Sequence, residues 1–198
     1  MNYWRMSFRY GSGGESALAK CIEKGVAAAN IFNDYNEPLP DLRDITESTF
    51  SKLWEEGEYN SPTARMTMCG MRYRMGVGDV IYAKENREMV SCGIITSEYD
   101  YDPNILDGEF EWPHFVRVNW DLNFKPVQAL LGAERITLLR LNEGRIAELK
   151  RILEASGQSL LVPPVNPYSV YPDGQNKLQD CQQWGPGYPP QGVGSPDP

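Results

Sequence analysis

The stretch MGVGDVIYAK, residues 75–84, decides the fold that the sequence predicts. Gly76 marks the end of a helix, and residues 79–83 follow as a strand of branched and aromatic side chains. A second apolar strand covers residues 89–95, and the polar loop 84–88 between the two strands indicates a β-hairpin. The sequence therefore predicts a helix that leads directly into two paired strands.

Further strands and helices are predicted on both sides of this hairpin. Upstream, the strands are 3–9 and 26–32, and the helices run over 15–24 with Gly25 as the cap, from Thr46 to Gly57, and from Ser61-Pro62 to Gly76 with Met68, Met71 and Met75 inside. Downstream, the strands are 115–120 and 135–141, and a helix begins at Asn142 and ends near Gly157. This mixture predicts an α/β domain of the α+β kind over residues 1–161.

The composition changes after Leu161. Residues 162–198 are rich in proline, glycine and glutamine, and such a segment cannot bury enough apolar surface to offset its chain entropy. We therefore interpret 162–198 as a linker or disordered tail.

The charges and cysteines of the sequence limit which partners and which cellular compartment can be expected. Nineteen Lys and Arg against 27 Asp and Glu give a net charge of −8, which is unusual for a protein that binds phosphates. Residues 59–78, however, hold Arg65, Arg72 and Arg74 and no acid, so one face is a candidate for phosphate contacts, or alternatively a solvated face without a partner. Four scattered cysteines without a CxxC pair, no apolar run of about 20 residues and no signal peptide predict a cytoplasmic protein without a membrane partner.

Few residues favour catalysis. His114 is the only histidine, and no nucleophile, base and acid set can be assembled without it. Asp100 and Asp102 alternate with tyrosines and fit either a metal or acid–base pair or, more simply, a solvated loop. The glycine-rich stretch 11–14 precedes a helix but lacks the lysine of a phosphate-binding loop. We expect a protein that is not an enzyme and that carries no cofactor or metal.

Three ordered motifs resemble a known family. They are MGVGDVIYAK at 75–84, GIITSEYDYDP at 93–103 and WPHFVRVNW at 112–120. Together they are similar to the EVE and YTH-like branch of the PUA superfamily, and most of all to the N-terminal specificity domains of McrB-type modification-dependent restriction systems. The resemblance implies a PUA-like twisted β-barrel or sheet with helices around it, and one base flipped into an aromatic pocket.

The resemblance also implies the residues that would bind the base. Carried over position by position, the pocket residues are Ser7, Arg9, Ala29, Asn30, Ile31, Phe32, Asp34, Lys84, Tyr99, Tyr101 and Trp112. Trp4, Trp54 and Trp120 lie on apolar stripes and are assigned to the core, whereas Trp112 fits either pocket or core. Phe32 and Trp112 are expected to form a dry slot roofed by the first strand.

The predicted function follows from this resemblance. We expect a non-catalytic module that recognises a modified, probably methylated, base in DNA within a restriction or antiphage system, with a fused or separate nuclease or GTPase effector. An RNA-binding or nucleotide-metabolite sensor domain on the same fold is the alternative. A protein-interaction domain that acts through its proline-rich tail is a third hypothesis.

Overall fold

Eight strands and four helices form the parts of the chain that a computed structural model describes, residues 1–9, 16–59, 61–107, 110–129 and 137–163. The strands are β1 (Tyr3–Ser7), β2 (Val26–Ala29), β3 (Val80–Glu85), β4 (Glu88–Ile95), β5 (Asp100–Tyr101), β6 (His114–Trp120), β7 (Val127–Gln128) and β8 (Leu138–Arg140). The helices are α1 (Leu18–Lys24), α2 (Glu47–Glu56), α3 (Pro62–Cys69) and α4 (Glu143–Ala155).

The strands form one sheet of order β2-β6-β4-β3-β1-β8, with β5 added to β6 and β7 added to β4. β1 and β3 are parallel, with Tyr3 opposite Val80, and the other pairs are antiparallel. β6 pairs with β4 through its last residues and with β5 through its first, so this strand joins two parts of a twisted sheet. The predicted fold class, a twisted sheet with helices packed around it, is confirmed.

The two faces of the sheet are both covered, because side chains alternate along each strand. In β1 and β3, Trp4 and Ile81 point to one hydrophobic core, whereas Tyr3 and Tyr82 point to the other. Helices α1, α2 and α3 contribute Cys21, Phe50, Trp54 and Met68 to the first core, and α4 contributes Leu149 and Leu153 to the second. The prediction that Trp4, Trp54 and Trp120 lie in the core is confirmed, since all three are buried there.

Helix termini lie where the capping residues predicted them. The hydroxyl of Thr46 caps α2 in a reciprocal capping box with Thr49. Ser61 caps α3, Asn142 caps α4, and Gly25 closes α1 in the left-handed conformation at φ 65°. Local hydrogen-bonding chemistry therefore sets these boundaries.

Three predicted elements differ from the structure in extent. β2 ends at Ala29 instead of continuing to residue 32, because the Asn30 side chain accepts the backbone N–H of Ile31 at 2.7 Å and offers the backbone a non-ladder partner. The polar loop predicted at 84–88 is mostly strand, since β3 reaches Glu85, β4 begins at Glu88 and only a two-residue turn separates them. Of the strand predicted at 135–141, residues 135 and 136 lie outside the described residues, and the described part forms β8 at 138–140 and ends before Leu141.

The helix that follows Ser61 does not remain α-helical to its end. Gly70–Arg74 forms a π-helical turn, and Met75 leaves the helix in an extended conformation. A Cβ on Gly70 would lie 2.6 Å from Leu138 Cδ2, so glycine permits the helix to approach β8 closely.

Residues Met1–Val165 form one compact unit. The glycine-rich stretch 11–14 and the tail from residue 164 lie outside the described residues. Within the described ranges, every helix falls short of the length and apolar content that crossing a bilayer requires.

Candidate ligand pocket

A pocket of about 290 Å³ opens where β1 ends, where the chain leaves β2, and beside the first half of α3. Its walls combine apolar and polar surface in nearly equal parts. Of the described lining residues, Arg9 alone carries a charge. Seven residues that the sequence assigned to the base-binding site line this pocket together, namely Ser7, Arg9, Ala29, Asn30, Ile31, Phe32 and Trp112.

One wall consists of Asn30, Ile31 and Phe32, and a loop behind them holds this wall in place. The backbone N–H of Leu39 donates to Ile31 O at 2.8 Å, and Phe32 forms a β-bridge with Pro38. The segment after β2 is thus folded back on itself like a short hairpin, which fixes the three lining residues by backbone contacts rather than by side-chain packing alone.

His114 fixes the same loop from the sheet side. Its Nε2 lies 3.1 Å from Leu39 O, a carbonyl that can only accept, so Nε2 carries the proton. Nδ1 is then an acceptor for the Tyr99 hydroxyl at 2.7 Å, and the Tyr99 oxygen in turn accepts the N–H of Leu42 at 3.2 Å. Burial lowers the pKa of His114 to about 4, so the ring is neutral at physiological pH.

For Trp112 the sequence left two assignments open, pocket or core. The structure shows that Trp112 belongs to both. Its side chain is only 7% exposed and packs in the first core, yet it also lines the pocket. The ring of Phe110 supports it edge-on, with ring centroids 5.9 Å apart and planes at 61°. A wall residue that is held this firmly presents a preformed aromatic surface.

Two polar side chains of the pocket contain a buried donor without an acceptor among the described residues. These donors are Asn30 Nδ2 and Arg9 Nε. An unsatisfied buried donor costs about 1–3 kcal/mol, so such groups call for an explanation such as an absent partner. Both residues line the pocket, and their unpaired nitrogens themselves have almost no accessible surface.

Four predicted pocket residues are not part of its wall. Asp34 is exposed on the loop beyond the wall, and Lys84 is buried in β3. The rings of Tyr99 and Tyr101 pack on His114, with centroids 6.0 and 5.2 Å from the imidazole. Side chains two residues apart point to the same face of an extended chain, so both tyrosines face the imidazole rather than the pocket. Their assignment to the pocket opening is therefore corrected to a supporting position behind the wall.

The arginines proposed for phosphate contacts are engaged within the protein. Arg65 Nη2 donates to Ser51 Oγ at 2.9 Å and so links α3 to α2. Arg74 forms an ion pair with Glu47 at the start of α2. These contacts stabilise the packing of α2 against α3 and the π-helical turn.

Arg72 has a similar internal role. Its guanidinium donates to the carbonyl oxygens of Leu42 and Arg43 at 2.9 and 2.7 Å, and it lies 5.5 Å from the centroid of the Tyr99 ring. A cation over an aromatic face is favourable by about 0.5–1 kcal/mol or more. Arg72 thereby stabilises the loop that supports the pocket wall, and its guanidinium is engaged in these internal contacts.

Five lining residues were missed from the sequence. They are Met6, Ala28, Ala64, Thr67 and Thr137. Ala64 and Thr67 are three residues apart on α3, and this stripe of small side chains beside the methionine stripe is the signal that would have found them. Thr137 gives no such signal, because a long-range contact places it beside Ser7, whose N–H donates to the Thr137 carbonyl oxygen at 2.8 Å.

Two buried cysteines carry protonated thiols. Burial raises the thiol pKa of Cys21 and of Cys92 to about 12, so both remain protonated at neutral pH. Over the described ranges, no three or more His, Cys, Asp or Glu side chains are grouped in a way that could hold a metal ion. The pocket offers apolar surface and hydrogen-bonding groups in similar measure.

Comparison with known proteins identifies the family. The family model described as "Domain of unknown function (DUF8426)" matches residues 4–139, a span that contains β1, the pocket wall, α3 and Trp112. The chain belongs to this family. No curated protein matches it.

Two solved structures are similar to this DUF8426 chain. The crystal structure of protein Atu2648 from Agrobacterium tumefaciens has 15% identity and a TM-score of 0.44, covering 83% of this chain and 99% of that one. The NMR structure of Rpa0253 from Rhodopseudomonas palustris has 17% identity and a TM-score of 0.35, covering 79% and 94%. Both likenesses are too distant to bear on function.

Proposed function

We propose that this chain is a non-catalytic module that recognises a modified base, flipped out of DNA, in the pocket between Phe32 and Trp112. The observation that carries the proposal is the convergence of Phe32 and Trp112 with the polar residues Arg9 and Asn30 on one pocket of about 290 Å³. Ligand pockets commonly measure about 300–1,000 Å³, so this one is sized for a single small ring system. A methylated base in the DNA of a restriction or antiphage system, within the cytoplasm, is the ligand we favour.

The energetics of such recognition are adequate. Flipping a base out of a duplex costs a few kcal/mol. Stacking on an aromatic face returns about 1–3 kcal/mol per base, and one buried methyl group adds on the order of 0.8 kcal/mol. Since stacking alone roughly balances the flipping cost, hydrogen bonds from Arg9 and Asn30 and the added methyl group supply the discrimination.

Binding of matched oligonucleotides tests this function. Duplexes that differ only in one methylated or hydroxymethylated base are titrated against the full chain, and the affinity for the modified duplex is expected to exceed that for the unmodified one by about fourfold or more per buried methyl group. Trp112→Ala should abolish this preference, because it removes the stacking surface. Equal affinity for all duplexes would refute the proposal.

Two further variants keep this test interpretable. Trp112→Phe retains an aromatic ring and is expected to keep part of the preference, which separates loss of stacking from loss of folding. Tyr35→Ala removes an aromatic side chain that is 68% exposed and outside the pocket wall, and it should bind as the wild type does.

A nucleotide-metabolite or RNA sensor is the second candidate. It is favoured by the internal engagement of Arg65, Arg72 and Arg74, which reduces the number of cations available to a DNA backbone, and by the net charge of −8. A free nucleotide needs the same aromatic wall and donors but few phosphate contacts. Binding of a free nucleotide should therefore depend little on salt, whereas binding of a DNA or RNA strand should weaken as the salt concentration rises.

A further inference from the structure

The pocket wall of Ile31 and Phe32 rests on a loop that other parts of the chain hold by its backbone. Residues 39–45, all of them described, belong to no helix or strand, although Leu39 and Leu42 are fully buried. Buried backbone N–H and C=O groups need hydrogen-bond partners, and a segment outside helices and sheets must obtain them from side chains. The partners of this loop therefore determine where the pocket wall lies.

Five side chains supply these partners and form what we call the support cluster: Tyr59, Arg72, Tyr73, Tyr99 and His114. The hydroxyl of Tyr59 donates to Pro38 O at 3.2 Å, and that of Tyr73 donates to Ile45 O at 2.9 Å. The guanidinium and the imidazole of the cluster reach three further carbonyl oxygens of the same loop. Both ends and the middle of the loop are thus bonded to side chains from elsewhere in the fold.

Tyr99 connects the contacts in the middle of the loop. Its hydroxyl donates to His114 Nδ1 at 2.7 Å and accepts the N–H of Leu42 at 3.2 Å. His114 in turn donates to Leu39 O at 3.1 Å, and the N–H of Leu39 donates to Ile31 O at 2.8 Å. A continuous series of hydrogen bonds therefore runs from the Tyr99 hydroxyl to the backbone of the pocket wall.

We infer that Tyr99 is a positioning residue for the ligand: through His114 and the loop, its hydroxyl keeps the pocket wall in the arrangement that a flipped base requires. This inference rests on the proposed function and deepens it, because it assigns part of the affinity to a side chain behind the wall. When the binding-competent arrangement is populated only part of the time, the apparent affinity falls by that fraction. How firmly the loop is held therefore sets how tightly the pocket binds.

Tyr99→Phe tests the positioning role, because it keeps the packed ring and removes only the hydroxyl. Duplexes that carry one 5-methylcytosine or one N6-methyladenine are titrated against the full chain. The modified duplex that the wild type binds more tightly is expected to bind the variant about three- to tenfold more weakly.

Tyr82→Phe is the matched control. Tyr82 is also fully buried, and its hydroxyl also accepts a backbone N–H, that of Leu161 at 3.1 Å, but it lies in the second core and does not line the pocket. The control loses a buried hydroxyl as Tyr99→Phe does, and it should keep the affinity of the wild type. Melting temperatures of both variants establish that each is folded.

A double-mutant cycle shows whether Tyr99 acts through His114. If it does, Tyr99→Phe added to His114→Gln should weaken binding by no more than about twofold beyond His114→Gln alone, because the connection is already broken. Added to Trp112→Phe, it should weaken binding by its full factor.

Amide hydrogen exchange measures the support of the wall without any ligand. The N–H of Leu39, which bonds Ile31 O, is expected to exchange about three- to tenfold faster in Tyr99→Phe than in the wild type, the size that the loss of a buried hydrogen bond or two produces. In Tyr82→Phe its exchange should be unchanged.

The results distinguish a failure of this inference from a failure of the proposed function. Equal affinities of Tyr99→Phe and Tyr82→Phe, or full additivity with His114→Gln, overturn the positioning role and leave modified-base recognition standing. Unchanged exchange at Leu39 in Tyr99→Phe overturns it even without a ligand. A wild type that binds neither modified duplex more tightly than the unmodified one overturns the proposed function, and the exchange rates then decide alone whether Tyr99 holds the wall.

Discussion

At the scale of single residues, His114 shows how one buried side chain can control the pocket. It has no exposed surface, and both of its ring nitrogens are hydrogen bonded, one of them to the loop that supports the wall of Asn30 to Phe32. Protonation would turn Nδ1 into a donor facing the Tyr99 hydroxyl and place a charge beside Tyr101 and near Asp41 and Arg72. The neutral ring is therefore part of the folded structure.

We predict that His114 makes the protein less stable as the pH falls from 6.5 toward 4. The pKa is about 4 in the folded state and 6.5 in the unfolded state, so between these values the unfolded chain binds the additional proton. The stabilisation is complete above pH 6.5 and is lost toward pH 4, and it amounts to roughly 3 kcal/mol over that interval. Denaturant unfolding at a series of pH values measures it.

His114→Gln provides the comparison. Carboxylates titrate in both proteins and cancel in the difference, so the gap in unfolding free energy between wild type and variant should narrow by roughly 2–3 kcal/mol between pH 7.5 and pH 4.5. A gap that stays constant across this range would show that the imidazole does not titrate as its burial requires.

Most of the residues that line the pocket could be predicted from the sequence, but the side chains that pack behind them could not. Ser7, Arg9 and the segment 29–32 follow from a resemblance tied to local motifs, and the structure places them together. The same resemblance assigned Tyr99 and Tyr101 to the pocket. Their orientation depends on where the imidazole of His114 lies, which is a tertiary contact that no local pattern reveals.

At the scale of elements, Asp79 connects the two parallel strands at the centre of the sheet. It is buried, and its carboxylate accepts the backbone N–H of Asn2 at 2.6 Å, Trp4 Nε1 at 2.9 Å and the N–H of Gly76 at 3.3 Å. The aspartate of the MGVGDVIYAK stretch thus joins the start of β1, the end of the π-helical turn and the start of β3.

We predict that Asp79→Asn lowers the free energy of unfolding by about 2–4 kcal/mol. The amide replaces one acceptor oxygen by a donor that faces other donors, and it weakens the remaining charge-assisted hydrogen bonds. Denaturant unfolding at pH 7 measures the change. Asp44→Asn, at an exposed position, is the matched control and should change stability by no more than about 0.5 kcal/mol. Equal effects of the two substitutions would contradict the structural role of Asp79.

Element type and helix ends were predictable because they depend on short-range chemistry. Thr46, Ser61, Asn142 and Gly25 satisfy orphan backbone groups within a few residues, and each lies at the predicted terminus. The π-helical turn was not predictable. It depends on the close approach of Gly70 to Leu138, a residue far away in the sequence.

At the scale of the whole molecule, charge predicts how binding responds to salt. With a net charge of −8 and Arg65, Arg72 and Arg74 engaged internally, we expect three or fewer phosphate contacts. For a single strand this corresponds to a loss of affinity of about twentyfold or less between 50 and 200 mM salt. Titrations of one oligonucleotide at several salt concentrations measure the slope. Complete indifference to salt would favour an uncharged small ligand, and a much steeper slope would show that these arginines are available to the backbone after all.

The position of β1 in the sheet has a consequence for protein synthesis. This first strand lies between β3 and β8, and its last residue is bonded to Thr137, about 130 residues further along the chain. At about 5–20 residues per second, the ribosome therefore takes on the order of ten seconds to supply the final neighbour of a strand that emerged first. During that time one edge of β1 stays unpaired even after β3 has joined the other, which makes this apolar strand the segment of the nascent chain that a chaperone would have most reason to hold.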